Sequence, residues 1–145
     1  MGSEMCIRDR IYIDTNVIIS YMDELDPNHN KAVELIEKFR DKKVVSKLTL
    51  LELASVYSRA NLSEPLALAI YSVEKIEAEV IDVDLNEVVR EAFKLALELK
   101  LKTLDLIHIA ACKTAKAVAI ITFDKDIISK ADKIGEIGIR VIAEP

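Results

Sequence analysis

The order of apolar segments along the chain predicts a three-layer α/β/α domain, in which helices cover both faces of a central parallel sheet of four to five strands. Short apolar runs alternate with longer segments whose apolar residues recur every three or four positions. Runs that are apolar at successive positions are typical of parallel strands buried on both faces. The 145 residues, 51% hydrophobic and 31% charged, suffice for one globular domain.

The first half of the chain predicts three strands and four helices. The strands are RIYID (10–14), KVVS (43–46) and AEVIDVD (78–84). The helices are TNVIISYM (15–22), PNHNKAVELIEKFRDK (27–42), LTLLELASVYSRA (48–60) and SEPLALAIYSVEKI (63–76). Pro27 suits the first turn of the second helix, Thr49 opens the third, and Ser63 is expected to cap the fourth, with Pro65 in its first turn.

The second half predicts two long helices, one short helix and two strands. Residues 84–101 carry apolar side chains at helical spacing: Leu85, Val88, Val89, Ala92, Phe93, Ala96 and Leu97. The segment TLDLIHIAACKTAK (103–116) is more apolar all round, so we expect this helix to be central. AVAIIT (117–122) and IRVIAE (139–144) predict strands, and DKDIISKADKI (124–134) predicts a short helix between them.

The first nine residues stand apart from this pattern. The stretch MGSEMCIRDR, residues 1–10, starts like a vector-derived leader and continues like translated sequencing-adapter read-through. We therefore expect residues 1–9 to be a non-native leader and residues 10–145 to form the single domain. Because this stretch lacks the apolar region of a signal peptide, and no apolar run in the chain is long enough to span a membrane, we expect a cytoplasmic protein.

Composition excludes several kinds of functional site. The three glycines fall at positions 2, 135 and 138, so no Gly-rich phosphate loop is present. Cys112 stands alone in an apolar helical pattern, which favours a small buried hydrophobe over a zinc ligand or a nucleophile. The net charge of −5 argues against nucleic-acid binding by bulk basicity but is compatible with an acidic centre that holds a divalent cation.

Carboxylates occupy corresponding places after the predicted strands. Asp14 ends the first strand, and Asp124 closely follows the strand AVAIIT. Glu52 and Asp105 lie near the starts of their helices, so helical geometry can bring both towards the same edge of the sheet. Such acids repel one another unless a positive charge lies between them, and an oxygen-rich cluster without Cys suits Mg²⁺ or Mn²⁺ better than zinc.

Each acid also has a purely structural interpretation. Asp14 and Asp124 are good helix N-caps. Glu52 follows Thr49 at the spacing of a capping box, and Asp105 suits the first turn of a helix capped by Thr103. The functional interpretation depends on the joint placement of the acids, because no single one of them requires it.

The two histidines are weaker candidates. His108 lies three residues after Asp105 and can share its helix face as a base or ligand, although a lone His in an apolar helix is more often a hydrogen-bonded core residue. His29 lies in the polar start of a helix. Without a convincing His pair, cleavage through two imidazoles and the ribose 2′-hydroxyl is disfavoured.

Four short motifs resemble, in order and spacing, the acidic motifs of PIN-domain nucleases, most closely the VapC toxins of type II toxin–antitoxin pairs. The motifs are YIDTNVII, LTLLELASV, TLDLIHIAA and IITFDKDI, and the resemblance covers the chain from about residue 10 to its end. It implies a PIN-like fold with Asp14, Glu52, Asp105 and Asp124 as catalytic metal-binding carboxylates. It further implies that Asn16 and Thr122 support the site, while Asp126 matches a peripheral acid that is also a good first-turn helix residue.

The resemblance implies a metal-dependent endoribonuclease whose products carry a 5′-phosphate and a 3′-hydroxyl. It implies three partners: an RNA substrate, a small VapB-type antitoxin and a second copy of the chain in a homodimer. The apolar helices 48–60 and 63–76 suit a partner surface, or else a thick helical layer within one chain. Candidate phosphate contacts, which are also ordinary surface residues, are Lys47, Arg59, Lys102 and Lys125.

Three alternatives stay open at this point. In these alternatives the chain would be an RNA-processing PIN nuclease without an antitoxin, a non-catalytic PIN-like binding module, or a phospho-accepting α/β protein with Asp14 as the nucleophile. The presence of all four acids argues against the binding module, and Asn16 stands where a phosphatase would carry a second Asp.

Overall fold

The computed structural model describes residues 9–40 and 42–145, so residues 1–8 of the expected leader lie outside the described part of the chain. Five strands form one parallel sheet in the order β3-β2-β1-β4-β5. Their bounds are Arg10–Ile13 (β1), Lys43–Val45 (β2), Glu79–Val80 (β3), Ala117–Ile121 (β4) and Arg140–Ile142 (β5). The predicted parallel sheet is confirmed, and β1 is its central strand.

Helices cover both faces of this sheet, which confirms the three-layer prediction. Their bounds are Thr15–Met22 (α1), His29–Lys38 (α2), Lys47–Arg59 (α3), Pro65–Lys75 (α4), Leu85–Leu99 (α5), Thr103–Thr114 (α6), Lys125–Ser129 (α7) and Ala131–Glu136 (α8). One apolar core joins the sheet to α1, α2, α3 and α4, and a second joins it to α5, α6, α7 and α8. Among the residues described, no helix is long and apolar enough to cross a membrane.

The strand register brings three polar residues to one level of the sheet edge. Ile13 of β1 pairs with Ile121 of β4, so the next residues, Asp14 and Thr122, lie side by side. Tyr12 pairs with Val44 of β2, which carries Ser46 to the same level. The amide of Asp14 donates to the carbonyl of Ile121 over 2.9 Å, so the pairing with β4 extends to the acid itself.

Three predicted N-cap residues are wrong, by one to three positions. Helix α3 begins at Lys47 with Ser46 as N-cap, and its capping box is formed by Ser46 and Thr49. Thr49 therefore does not open the helix, and the predicted box with Glu52 is absent because Thr49 is itself the third residue of the helix. The N-cap residues of α4 and α6 are Glu64 and Lys102, not Ser63 and Thr103.

Helix α2 and strand β3 are shorter than the sequence pattern indicates, and the helix predicted over residues 124–134 is interrupted. Helix α2 begins at His29, two residues after Pro27, because residues 24–28 form turns. The third strand contains only Glu79–Val80 of the predicted residues 78–84. The segment 124–134 forms two short helices because Lys130, at φ −107° and ψ 16°, leaves helical geometry between them.

Candidate metal centre

Asp14 lies at the carboxyl end of the central strand and is almost fully buried. Its Oδ1 accepts a hydrogen bond from the amide of Thr15 over 2.8 Å, so it caps α1. Its Oδ2 accepts from the hydroxyl of Thr122 over 2.7 Å. Burial raises the pKa of this carboxyl above its ordinary value, despite the opposing hydrogen bond and the nearby ring of His108. Asp14 is thus a cap and also part of the acidic site.

Glu52 lies in the second turn of α3 and points back to the sheet edge instead of capping its own helix. Its Oε1 accepts from the hydroxyl of Thr15 over 2.6 Å and from Nε2 of His108. Burial acts to raise the pKa of Glu52, but the hydrogen bond and positive charge of His108 outweigh it, so the pKa lies below its ordinary value. The pairing holds Glu52 as a carboxylate.

His108 is buried on α6 between Glu52 and Tyr12. Its Nδ1 lies 3.0 Å from the hydroxyl of Tyr12, which also lies 2.8 Å from Oγ of Ser46. Burial lowers the pKa of this ring, but the Glu52 hydrogen bond and the Asp14 charge raise it above its ordinary value overall. Tyr12 is not among the residues predicted from the sequence, although it lies two residues before Asp14 and so on the same face of β1.

A second group of acids faces the first from α6 and the start of α7. Asp105, Asp124 and Asp126 each offer a carboxylate oxygen, and these oxygens lie within 4.8 Å of one another. Asp124 caps α7, because its Oδ1 accepts from the amides of Asp126 and Ile127 over 2.8 and 3.2 Å. Asp126 occupies the first turn of α7 and forms a 3.7 Å ion pair with Lys102.

The crowding of these acids shifts the pKa of Asp105. Burial, the negative charges of Asp124 and Asp14, and a hydrogen bond with Asp124 together raise the pKa of Asp105 to about 6. The charge of Asp14 acts on Asp105, so the two acidic groups form one electrostatically coupled site. A positive ion between them would relieve the repulsion that raises this pKa.

Thr122 and Asn16 tie the loop after β4 to the site. The hydroxyl of Thr122 donates to Asp14 and accepts from the amide of Asp124 over 3.0 Å, which fixes two of the acids relative to each other. The Asn16 side chain accepts from the amide of Phe123 over 3.2 Å, which joins α1 to the same loop. Both side chains therefore orient backbone and carboxylates around the acidic site.

The candidate phosphate contacts differ in their distance from the acids. Lys47, Lys102 and Lys125 lie at the starts of α3, α6 and α7, where Glu52, Asp105 and Asp124 also lie. Arg59 lies in the last turn of α3, seven residues beyond Glu52, or about 10 Å along the helix. All four side chains are exposed.

The chemistry of these donors fits a hard divalent cation. Asp14, Glu52 and His108 each offer a ligand atom within 4.8 Å of the others, and the second group offers carboxylate oxygens only. The one imidazole already bonds through both ring nitrogens, so oxygen donors dominate the available set. Oxygen ligands of this kind suit Mg²⁺ or Mn²⁺.

The family model of the PIN domain matches residues 11–134 of this sequence. The chain belongs to the PIN-domain family. The matched region contains all five acids described above, from Asp14 on β1 to Asp126 on α7. Among curated protein sequences, none matches this PIN domain significantly.

Solved structures of toxin–antitoxin proteins share the fold at low sequence identity. VapC20 from Mycobacterium tuberculosis, described as a sarcin-ricin loop cleaving toxin, is 16% identical with a TM-score of 0.70, and the match covers 93% of this chain and 99% of that chain. A toxin–antitoxin complex from Klebsiella pneumoniae is 18% identical, with a TM-score of 0.66 and coverage of 93% and 99%. VapBC-1 from nontypeable Haemophilus influenzae is 17% identical, with a TM-score of 0.64 and coverage of 90% and 95%.

Proposed function

We propose that this PIN domain is a VapC-like endoribonuclease that requires Mg²⁺ or Mn²⁺ and hydrolyses RNA phosphodiester bonds. The observation that carries the proposal is the position of four carboxylates at one edge of the parallel sheet. Asp14 comes from β1, Glu52 from α3, Asp105 from α6, and Asp124 from the start of α7. All four acids are present, which favours catalysis over a non-catalytic binding module.

The proposed roles follow from the donor atoms. Asp14, Glu52, Asp105 and Asp124 would hold the cation, and Thr122 and Asn16 would keep these acids and their loop in place. When bound, the cation lowers the pKa of a water and offsets the charge that grows on the phosphate and the leaving oxygen. Glu52 or Asp105 would accept the proton of the attacking water. Asp126 contributes negative charge at the margin of the site.

RNA is a polyanion, so an acidic protein needs cationic side chains beside its acidic site. Lys47, Lys102 and Lys125 are the proposed phosphate contacts, because they lie in or next to the first turn of the three helices that carry or follow the acids. Lys102 also pairs with Asp126, which places a positive charge beside the second acidic group. Arg59 is the more remote candidate.

A small VapB-type antitoxin is the first proposed protein partner. The matched structures that support it include a toxin–antitoxin complex from Klebsiella pneumoniae and VapBC-1 from nontypeable Haemophilus influenzae. Helices α3 and α4 bury Leu53, Tyr57, Ala69 and Val73 in the core, but Leu66, Ile70 and Tyr71 of α4 stay 44–60% exposed. An exposed apolar helix face of this kind fits an amphipathic partner helix.

A second copy of the chain is the other proposed partner. Leu85, Val89, Phe93 and Leu97 form a row along α5, here called the α5 ridge, and their side chains are 48–86% exposed. A hollow of about 350 Å³ lies beside it, between α5 and α6, with Ala92, Ala96, Thr103, Leu106 and Ile107 among its lining residues. Because this surface has both a projecting row and a hollow, the row of one copy can pack into the hollow of the other in a two-fold dimer.

The nuclease proposal is tested by cleavage of a structured RNA with purified protein. We expect cleavage with Mg²⁺ or Mn²⁺, none with a chelator, and a loss of at least about 100-fold in Asp14→Asn and Asp105→Asn, because each substitution removes a charged ligand. The products should carry 5′-phosphates. Cleavage that survives chelation, or that both variants retain, would contradict the proposal, and the variants also control for contaminating ribonuclease.

A further inference from the structure

A buried hydrogen-bond network connects three elements that carry acids of the site. The hydroxyl of Tyr12 on β1 lies 2.8 Å from Oγ of Ser46, 3.3 Å from Oγ1 of Thr49 and 3.0 Å from Nδ1 of His108 on α6. His108 reaches Glu52 on α3 through its other nitrogen. Within the described residues, no buried side-chain nitrogen or oxygen lacks a hydrogen-bond partner, so this network is fully satisfied.

The network determines which ring nitrogen of His108 carries the proton that is donated to Glu52. A carboxylate only accepts, so Nε2 of His108 carries the hydrogen that is donated to Oε1 of Glu52. Nδ1 then bonds to Tyr12 in either charge state, because the tyrosine hydroxyl can donate or accept. The direction of the bond to Glu52 is therefore independent of the charge on the ring.

The consequence for Glu52 is a fixed carboxylate with one oxygen available. Oε1 receives two donors, His108 Nε2 and Thr15 Oγ1, while no donor from the described part of the chain reaches Oε2. A glutamate has three side-chain torsions, and ordering them at the moment of cation binding would weaken that binding. His108 is only 2% exposed and is held by Tyr12, so it orders the Glu52 torsions before the cation binds.

We infer that His108, oriented by Tyr12, is a positioning residue that holds Glu52 for the cation rather than a ligand or a base. The inference rests on the proposed metal-dependent function. It differs from the two roles that the sequence suggests for His108, because both ring nitrogens already have protein partners. Partners in the outer shell of a metal site commonly change its affinity by about 10–100-fold.

The test compares three variants by titration calorimetry with MnCl₂, alongside thermal unfolding. We expect His108→Leu to weaken Mn²⁺ binding by about 10–100-fold. His108→Gln keeps an N–H donor and should recover most of the affinity. Tyr12→Phe keeps the ring but removes the hydroxyl, and should weaken binding several-fold. If His108→Leu does not fold, the Gln and Phe variants carry the same comparison.

Two substitutions away from the site serve as controls. Tyr57→Phe removes another buried hydroxyl, which lies 2.8 Å from Oγ of Ser72, and His29→Leu removes a ring whose Nδ1 lies 2.9 Å from the carbonyl of Ser20. Both should leave Mn²⁺ affinity unchanged, whatever they do to the melting temperature.

The possible outcomes separate this inference from the proposed function. Wild-type protein that binds no Mn²⁺ overturns the proposed function, and the inference with it. Normal wild-type binding with unchanged affinity in His108→Leu overturns the inference alone and leaves His108 a merely structural residue. Equal losses in His108→Leu and His108→Gln, with full affinity in Tyr12→Phe, assign His108 as a direct ligand instead.

Discussion

At the scale of single residues, the hydrogen bonds of Asp14 show that capping a helix leaves a carboxylate with acceptor capacity for a cation. Each of its oxygens accepts one hydrogen bond, from the Thr15 amide and the Thr122 hydroxyl, and a carboxylate oxygen has a second lone pair. Asp124 caps α7 with one oxygen, which accepts from the second and third amides of that helix. Capping thus orients these acids at the edge of the sheet without using all of their acceptor capacity.

The raised pKa of Asp105 gives a prediction for the metal-free protein. Because Asp124 contributes a negative charge and a hydrogen bond, Asp124→Asn should lower the pKa of Asp105 from about 6 towards its ordinary value of 3.8. The pKa is measured from the carboxyl carbon shift in an NMR titration with chelator present. A substitution of the exposed Asp132 on α8 is the matched control and should leave it unchanged.

The sign of the pH effect on cation binding follows from the same value. A proton on Asp105 competes with the cation, so the affinity for Mn²⁺ should rise as the pH increases through about 6. Two results would contradict the electrostatic crowding of Asp105 by the neighbouring carboxylates. One is an ordinary pKa of Asp105 in the wild type, and the other is a pKa that Asp124→Asn does not change.

At the scale of elements, α5 has more apolar surface than one core contact requires. The apolar residues that the sequence places at helical spacing divide into two sets in the structure. Val88 is buried, as are Leu95 and Leu99, whereas Leu85, Val89, Phe93 and Leu97 form the exposed α5 ridge. Helical spacing predicts the helix correctly but does not show which apolar residues meet the core, because the apolar arc is wider than the surface beneath it.

Two leucines of α5 test this division. Leu95→Ala should lower the free energy of unfolding by about 2–5 kcal/mol, because it opens a cavity in the core. Leu97→Ala should change it by less than about 0.5 kcal/mol. Both are measured by urea unfolding in a Phe93→Glu background, in which the proposed pairing surface is already disrupted. Similar losses for the two variants would show that the exposed assignment of Leu97 is wrong.

At the scale of the whole molecule, the two apolar surfaces lie on opposite sides of the sheet. The exposed residues of α4 belong to the layer of α1–α4, and the α5 ridge belongs to the layer of α5–α8. The four side chains of the α5 ridge are 48–86% exposed, and Leu66, Ile70 and Tyr71 of α4 are 44–60% exposed. The two proposed interfaces therefore do not overlap, so an antitoxin bound on α4 would not compete with a second copy bound on α5.

Light scattering after size exclusion tests the pairing. We expect the wild-type protein at high micromolar concentration to have twice the chain mass of 16.2 kDa. Phe93→Glu should be monomeric, because pairing would bury an unpaired charge. Tyr71→Glu, on the exposed face of α4, should still pair. A monomeric wild type, or a dimeric Phe93→Glu, would exclude the α5 ridge as the interface.

The sequence by itself determined the layers and the edge where the acids lie. Continuous apolar strands alternating with helices predict a parallel sheet, and parallel strands share their carboxyl edge, so Asp14 and Asp124 can be assigned to one end of the domain. Periodicity and the alternation of strands with helices are local properties of the chain, and the structure agrees with them. The lengths of β3 and α2 and the break at Lys130 differ because they depend on neighbouring packing.

Only the tertiary structure decided what the side chains at that edge do. Glu52 matches a capping-box spacing, yet it bonds to His108, 56 positions away, and Tyr12 reaches His108 across 96 positions. The same holds for α5, whose two apolar faces are told apart only by what packs against them. Helical and strand periods describe neighbours along the chain, whereas these pairings arise from the packing of α3 and α6 against β1, which no local pattern encodes.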